Sequence, residues 1–250
     1  MNSYDYRPRP DLLAERVILI TGASGGIGRT LALACARHGA TLILHGRNTA
    51  RLEAVYDEIE EAGAPQAIIL PLDLAQATDR DFENLAQAIR AQVRRLDGIV
   101  HTAAHFTHLG PLEHERLDDW LALLRVNTAA VFALTRACTP LLREAPDASV
   151  VLTGETHALA PAAFWGGFAV SKSGLAAYTT IQAQEWESAP NLRINLLVPG
   201  KVDSPQRQRT HPGETRDSRM KPEALMPLYL YLLGPDSRGV SGQTFEPDPP

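Results

Sequence analysis

Short apolar runs alternate along this chain with longer segments of helical period. Arg16-Val-Ile-Leu-Ile-Thr21 is β-branched, unbroken and closed by glycines, the pattern of a strand buried on both faces. A helix follows with Ile27, Leu31, Ala34 and Cys35 on one stripe, ending near Gly39. Thr41–His45 predicts a second strand, and Leu52, Val55, Tyr56 and Ile59 mark a second helix capped by Asn48 or Thr49. Ala67–Leu72 predicts strand three, and Phe82, Leu85, Ile89 and Val93 stripe helix three. Further strands are expected at Leu96–His101, Ser149–Thr153, Arg193–Val198 and Gln243–Phe245. Between them fall helical stretches from Leu117 to about Arg143, Trp165 to about Glu187 and Pro222 to Leu233. This alternation implies an α/β fold, a doubly wound parallel sheet with helices on both faces. One domain over residues 1–250 is expected, with a short arm at 1–15, a polar lid-like segment at 203–221 and a frayed tail at 246–250; no internal repeat is visible.

Composition narrows the function classes. Hydrophobic residues make up 44% and charged residues 21% of 250, ordinary for a soluble globular domain. A net charge of −5 argues against a nucleic-acid partner, which would call for a basic face. Cys35 and Cys138 both fall in apolar helical patterns and are expected as buried thiols in a reducing cytoplasm. Met1–Pro10 is polar, unlike a secretory signal, and no apolar run reads as a membrane span, so no membrane partner is expected.

Thr21-Gly22-Ala23-Ser24-Gly25-Gly26-Ile27-Gly28 closes a predicted strand and opens a predicted helix. Gly22 and Gly26 allow a sharp turn and close backbone approach to a pyrophosphate, while Gly28 allows helix and strand to pack tightly. The helix N-terminus offers unpaired N–H groups to phosphate oxygens. A Rossmann dinucleotide site is the reading this context favours over an empty turn. The end of strand two selects the dinucleotide. An NAD site needs a carboxylate there for the ribose hydroxyls, but His45-Gly46-Arg47-Asn48 has none. Arg47 suits a 2′-phosphate, so NADP(H) is favoured over NAD(H), although an exposed helix-start arginine would look the same. Asp73 suits an adenine amino group or, equally, a loop cap.

The Thr-Gly-x-x-x-Gly-x-Gly spacing, Leu72-Asp73-Leu74, Arg125-Val126-Asn127, Ser171-Lys172 and Val198-Pro199-Gly200 together resemble the short-chain dehydrogenase/reductase family, over nearly the whole chain. Asp11-Leu12-Leu13 and Met226-Pro227-Leu228-Tyr229 resemble its YciK-like bacterial branch. The resemblance implies an oxidoreductase acting on carbonyl or alcohol substrates, with Leu74, Pro199, Gly200 and Val202 along the cofactor. It also implies a catalytic Asn, Ser, Tyr and Lys, and a homodimer or homotetramer. Asn127 and Lys172 fit that pattern. The Tyr position holds Phe168 and the Ser position Glu155, with Thr156 beside it; the Asn-Ala-Gly after strand four has become Thr102-Ala103-Ala104.

These departures fall on the proton chemistry. Phenylalanine cannot donate a proton, a task worth roughly 10²–10⁴ in rate. An ionised Glu155 would repel the oxyanion that hydride delivery creates, unless it pairs with Lys172. The family's standard catalysis is therefore expected to be impaired. His157 and Glu155 itself are candidate substitute acids. The alternative is a pseudoenzyme that binds NADP(H) as a sensor or assembly partner. Tyr178, six residues past Lys172, points to another helix face. His101, His105 and His108 form no convincing ligand set, so no metal is expected. The 203–221 segment, with Arg207, Arg209, His211, Arg216, Arg219 and Lys221, suits either a solvated mobile loop or the recruitment of an anion. Val131, Leu134 and Leu175 could serve a subunit face or the core.

Overall fold

Strand β1, Val17–Thr21, is the centre from which the molecule is built; the computed structural model describes residues 6–247. Its apolar side chains have no polar alternate face, so both sides must be covered by helices. Strands β2 (Thr41–Gly46), β3 (Ile68–Pro71), β4 (Gly98–His101), β5 (Ala148–Thr153), β6 (Leu192–Leu197) and β7 (Thr244–Phe245) complete one sheet. All pairings are parallel, in the order β3-β2-β1-β4-β5-β6-β7. The order reverses between β1 and β4, and the carboxyl ends of those strands diverge there into a crevice. Thr21 is registered with both His45 on β2 and His101 on β4, so the end of β1 lies between two histidine-bearing strands.

Helices α1 (Gly26–Arg37), α2 (Thr49–Glu61) and α9 (Met226–Leu233) cover one face through Leu31, Cys35, Leu52, Ile59 and Tyr229. Helix α3 (Asp79–Gln92), the stretch α4 (Leu117–Leu124) and α5 (Ala130–Arg143), and α7 (Gly166–Glu185) cover the other. There Phe82, Leu85, Ile89, Leu134, Cys138, Leu142 and Leu175 pack together. Both cysteines are free and buried. Val131, Leu134 and Leu175 are core residues at 4%, 0% and 1% exposure, which removes them from any subunit face. Leu117–Arg143 is by length and hydropathy the one helix among the described residues able to span a bilayer, contrary to the expectation that none would be. Half of that stretch is buried, and its apolar stripe faces the sheet.

The predicted strands are all present, with ends shifted by one or two residues. Asn48 is the α2 cap, its Oδ1 accepting from the Arg51 amide at 3.0 Å. The periodicity does not predict two short helices, α6 (Thr156–Leu159) and α8 (Pro205–Thr210). Nor does it predict the wide π turn, Arg125–Ala129, that joins α4 to α5. Of the tail expected to fray, 246–250, the structure describes only Glu246 and Pro247, and the outermost arm, residues 1–5, lies outside the described residues. Further along the arm, Leu12 and Leu13 are buried in the α1/α9 core.

At the amino ends of the strands, away from the crevice, Asp147 is 4% exposed and bridges three guanidiniums, those of Arg16, Arg193 and Arg238. Burial alone would raise its pKa, but Arg193 and Arg16 hold it below the usual carboxylate value.

The 203–221 segment is an ordered unit rather than a bare solvated loop. Arg207 pairs with Glu214 at 2.5 Å, and Arg216 and Arg219 meet Asp203 at 3.2 and 3.4 Å. Three of the segment's cations are thus paired within it, while Arg209 reaches the Phe106 and Thr107 carbonyls outside it.

Candidate functional site

A cavity of about 610 Å³ occupies the crevice between the carboxyl ends of β1, β2, β4 and β5. Most of the predicted cofactor residues line it: Gly22, Ser24, Gly26, Ile27 and Gly28; Arg47 and Asn48; Asp73 and Leu74; Lys172; Pro199, Gly200 and Val202. Thr21 is the exception. It is fully buried, its Oγ1 accepts from the Ala103 amide at 3.2 Å, and its carbonyl accepts from Thr102 Oγ1 at 2.5 Å. It ties β1 to the loop after β4 instead of facing a ligand, because the last in-sheet residue still needs partners for its polar groups.

The glycine turn has the geometry the pattern required. Gly22 has φ +70° and Gly26 φ +52°, left-handed values that L side chains rarely adopt. A Cβ on Gly28 would lie 2.3 Å from the Gly22 carbonyl oxygen, so this glycine permits the helix–strand approach. A Cβ on Gly25 would meet nothing within 4 Å, and the N-terminus of α1 opens on that space. The turn therefore leaves an amide-lined cradle of the kind a pyrophosphate fills.

At the β2 end, two arginines line the cavity: Arg47, just before the α2 cap, and Arg51, in the first turn of α2. Sequence reasoning missed Arg51; its spacing of four from Arg47, just inside a capped helix, was the available signal. Asp73 Oδ1 accepts from the Ala75 amide at 3.0 Å, which makes it a loop cap that also borders the cavity. Beneath this end lie two buried histidines. His45 has no hydrogen-bond partner on either ring nitrogen, and burial lowers its pKa to about 4. His101 contacts Thr135 Oγ1 at 2.9 Å; burial, with the nearby His45 and Lys172, lowers its pKa to about 3.

The inner end of the cavity holds Lys172 and Glu155, two of the positions that the resemblance assigns to catalysis. Lys172 is buried and its Nζ donates to the Thr153 carbonyl at 2.8 Å. Burial lowers its pKa to about 8, against the raising effect of the Glu155 charge. Asn127 sits in the π turn, fully buried. Its Oδ1 accepts from the His105 amide at 2.7 Å, and its Nδ2 donates to the His105 carbonyl and Ser171 Oγ, each at 2.9 Å. It thus fastens the loop after β4 to helix α7.

Glu155 lines the cavity at 14% side-chain exposure, but among the described residues it forms no salt bridge with Lys172, contrary to that expectation. Its contacts are long: Oε1 to His157 Nδ1 at 3.4 Å and Oε2 to Gln206 Nε2 at 3.5 Å. The His157 ring stacks on Trp165 at 3.6 Å, outside the cavity lining. Phe168 is 2% exposed and also outside that lining. It packs with Leu123, Trp165 and Phe106, the Phe106 ring edge-on at 5.2 Å. Arg209 of α8 holds Phe106 from the far side, its guanidinium 4.8 Å from the ring centre and its Nη2 donating to the Thr107 carbonyl at 2.7 Å. Tyr178 lies away from the cavity, near Gln182 and Phe132.

This geometry describes a nucleotide cavity at the switch point of a doubly wound sheet. A short chain dehydrogenase family model matches residues 16–215, and the chain belongs to that family. It is 38% identical, over 98% of its length and 96% of the relative's, to the uncharacterized oxidoreductase YciK of Escherichia coli, which places it in the YciK-like branch. A structure assigned to the short chain dehydrogenases from Pseudomonas syringae is 40% identical, with a TM-score of 0.94 covering 97% of this chain and 98% of that one. Another, from Escherichia coli and complexed with NADPH, is 38% identical, with a TM-score of 0.93 covering 96% of this chain and 99% of that one.

Proposed function

We propose that this chain binds NADP(H) in the crevice and does not interconvert carbonyls and alcohols by the family's Ser–Tyr route. The NADPH complex of the similar Escherichia coli structure and the paired Arg47 and Arg51 support the choice of cofactor. In this reading the two guanidiniums take the 2′-phosphate and the amides at the start of α1 take the pyrophosphate. Lys172 holds the nicotinamide ribose, and Asn127 keeps Lys172's helix in register with the loop after β4. When bound, the cofactor supplies a hydride to an electrophilic carbon.

The observation that carries the second half is the state of position 168: an aromatic ring with no hydroxyl, 2% exposed and edge-on to Phe106 at 5.2 Å. A carbonyl oxygen reduced here would meet no proton donor from that position, and would face the Glu155 carboxylate where a neutral hydroxyl is needed. His157, stacked outside the lining, is poorly placed to substitute. The test is the double variant Glu155→Ser with Phe168→Tyr, followed by NADPH oxidation against aldehydes and ketones. The parent is expected to be silent and the variant active. Brisk turnover of ordinary carbonyls by the parent would overturn the reading.

A second reading, a non-catalytic NADP(H) sensor or assembly partner, draws on a different observation. Phe132, Val170 and Ile181 are exposed apolar residues on α5 and α7, and they suit pairing with a second copy. Analytical ultracentrifugation of Phe132→Asp with Ile181→Asp, expected to yield monomer from an oligomeric parent, tests that assembly.

A further inference from the structure

Glu155 is the most under-satisfied charge at the inner end of the cavity. Its carboxylate is 14% exposed, yet both of its hydrogen-bond contacts are at the long limit, 3.4 and 3.5 Å. Lys172, which also lines the cavity, is engaged by the Thr153 carbonyl, Arg207 is occupied by Glu214, and the His157 ring meets Glu155 only at 3.4 Å. A carboxylate so nearly removed from water is costly unless a cation approaches it. The neighbouring wall is Trp165, an aromatic surface, and the one side chain that would have served an oxyanion at position 168 has no oxygen. Every change at this end disfavours a developing anion, and the open side of the carboxylate favours a positive charge.

We propose that the hydride acceptor of this site is a cation, an iminium ion of a cyclic amine, held against Glu155. The proposal rests on the NADP(H) reading above. In the reaction the iminium carbon gains the hydride of NADPH, the C=N π pair becomes the nitrogen lone pair, and NADPH becomes NADP⁺. No proton is taken up in the bond-forming step, so the loss of the tyrosine removes nothing the chemistry needs. Charge on the acceptor falls from plus one to zero while the nicotinamide ring becomes positive.

The probe is N-methyl dihydroisoquinolinium, a fixed cation, with α-tetralone as its neutral carbonyl counterpart. Protein with NADPH is expected to oxidise the cofactor with the iminium well above the protein-free rate and to leave tetralone untouched. Binding is read separately by calorimetry with the quaternary N,N-dimethyl tetrahydroisoquinolinium, which cannot be reduced. Glu155→Gln is expected to weaken that binding and lower kcat/KM for the iminium by about tenfold or more, as loss of a charge-assisted contact does. Its NADPH-induced rise in Tm should match the parent's, which shows that the variant is folded and loaded. Equal use of tetralone, indifference of the quaternary ligand to Glu155→Gln, or no iminium turnover by NADPH-loaded protein each overturns the proposal. Absence of any NADPH-induced rise in Tm overturns the cofactor reading, and this proposal with it.

Discussion

The two ends of one cavity have opposite relations to the family they share. At the β1/β2 end, the glycines of the turn hold the conformations and close approaches that the sequence pattern demanded, and Arg47 is joined by Arg51. At the β5/α7 end, the scaffold of the site persists: Lys172 on the Thr153 carbonyl and Asn127 bridging loop and helix. The two positions that the family resemblance assigns to proton transfer hold Glu155 and Phe168. The difference teaches that binding geometry and proton chemistry are separable in this fold. The first rests on backbone, which a few glycines fix, and the second on side-chain oxygens, which single substitutions remove.

The comparison breaks most completely at Gly28. Gly28→Ala sets a Cβ against the Gly22 carbonyl, and NADPH binding is expected to fall by about a hundredfold or to vanish with the fold, as overpacking against backbone does. Calorimetry and thermal melts separate these outcomes. Acid should strike the same half next. His45 and His101 have folded pKa values of about 4 and about 3, depressed by burial, against 6.5 when unfolded. The unfolded chain therefore binds more protons below pH 6.5, and stability present at neutral pH is lost as pH falls. Between pH 7 and pH 5 the loss is about 3–4 kcal/mol for the pair. Urea titrations at the two pH values measure it, and His101→Asn should remove about half of the dependence.

The chemical half should yield to repair. Glu155→Ser with Phe168→Tyr is expected to raise carbonyl reduction by about 100-fold, the low end of what one positioned proton donor contributes. Adding Arg209→Ala, which releases Phe106 from above position 168, should raise it a few-fold more. A triple variant slower than the double would show that the Phe106 loop supports the site. Arg47→Ala and Arg51→Ala are the finest probes. Each should weaken NADPH by about tenfold and leave NADH unchanged, a contrast that places the 2′-phosphate between them.

What was legible in the chain follows the same division. The strands from β1 to β6, the α2 cap at Asn48 and the glycine turn are local signals: β-branched runs, a short polar residue before a helix, and glycines where φ must be positive. Contacts between distant segments left no periodic trace. Arg209 reaching the loop at 106–107, Arg207 closing on Glu214 and Asp147 gathering Arg16, Arg193 and Arg238 depend on tertiary placement. Thr21 reads as a ligand contact because it begins the motif, yet its hydroxyl is used within the sheet. Lys172 and Asn127 could be placed by resemblance, but the contacts they make could not. Lone charged residues on a polar segment carry no sign of which partner they will find.

The Arg209–Phe106–Phe168 stack also constrains how such a protein can change. A tyrosine restored at 168 while Phe106 stays clamped would bring a hydroxyl into an apolar cluster, where an unpaired hydroxyl costs about 1–3 kcal/mol. A phenol at 168 therefore comes with a stability cost that its gain in rate must be weighed against. Loosening the loop, as Arg209→Ala does, removes part of that cost, so the repair at 168 and the release of Phe106 should reinforce each other.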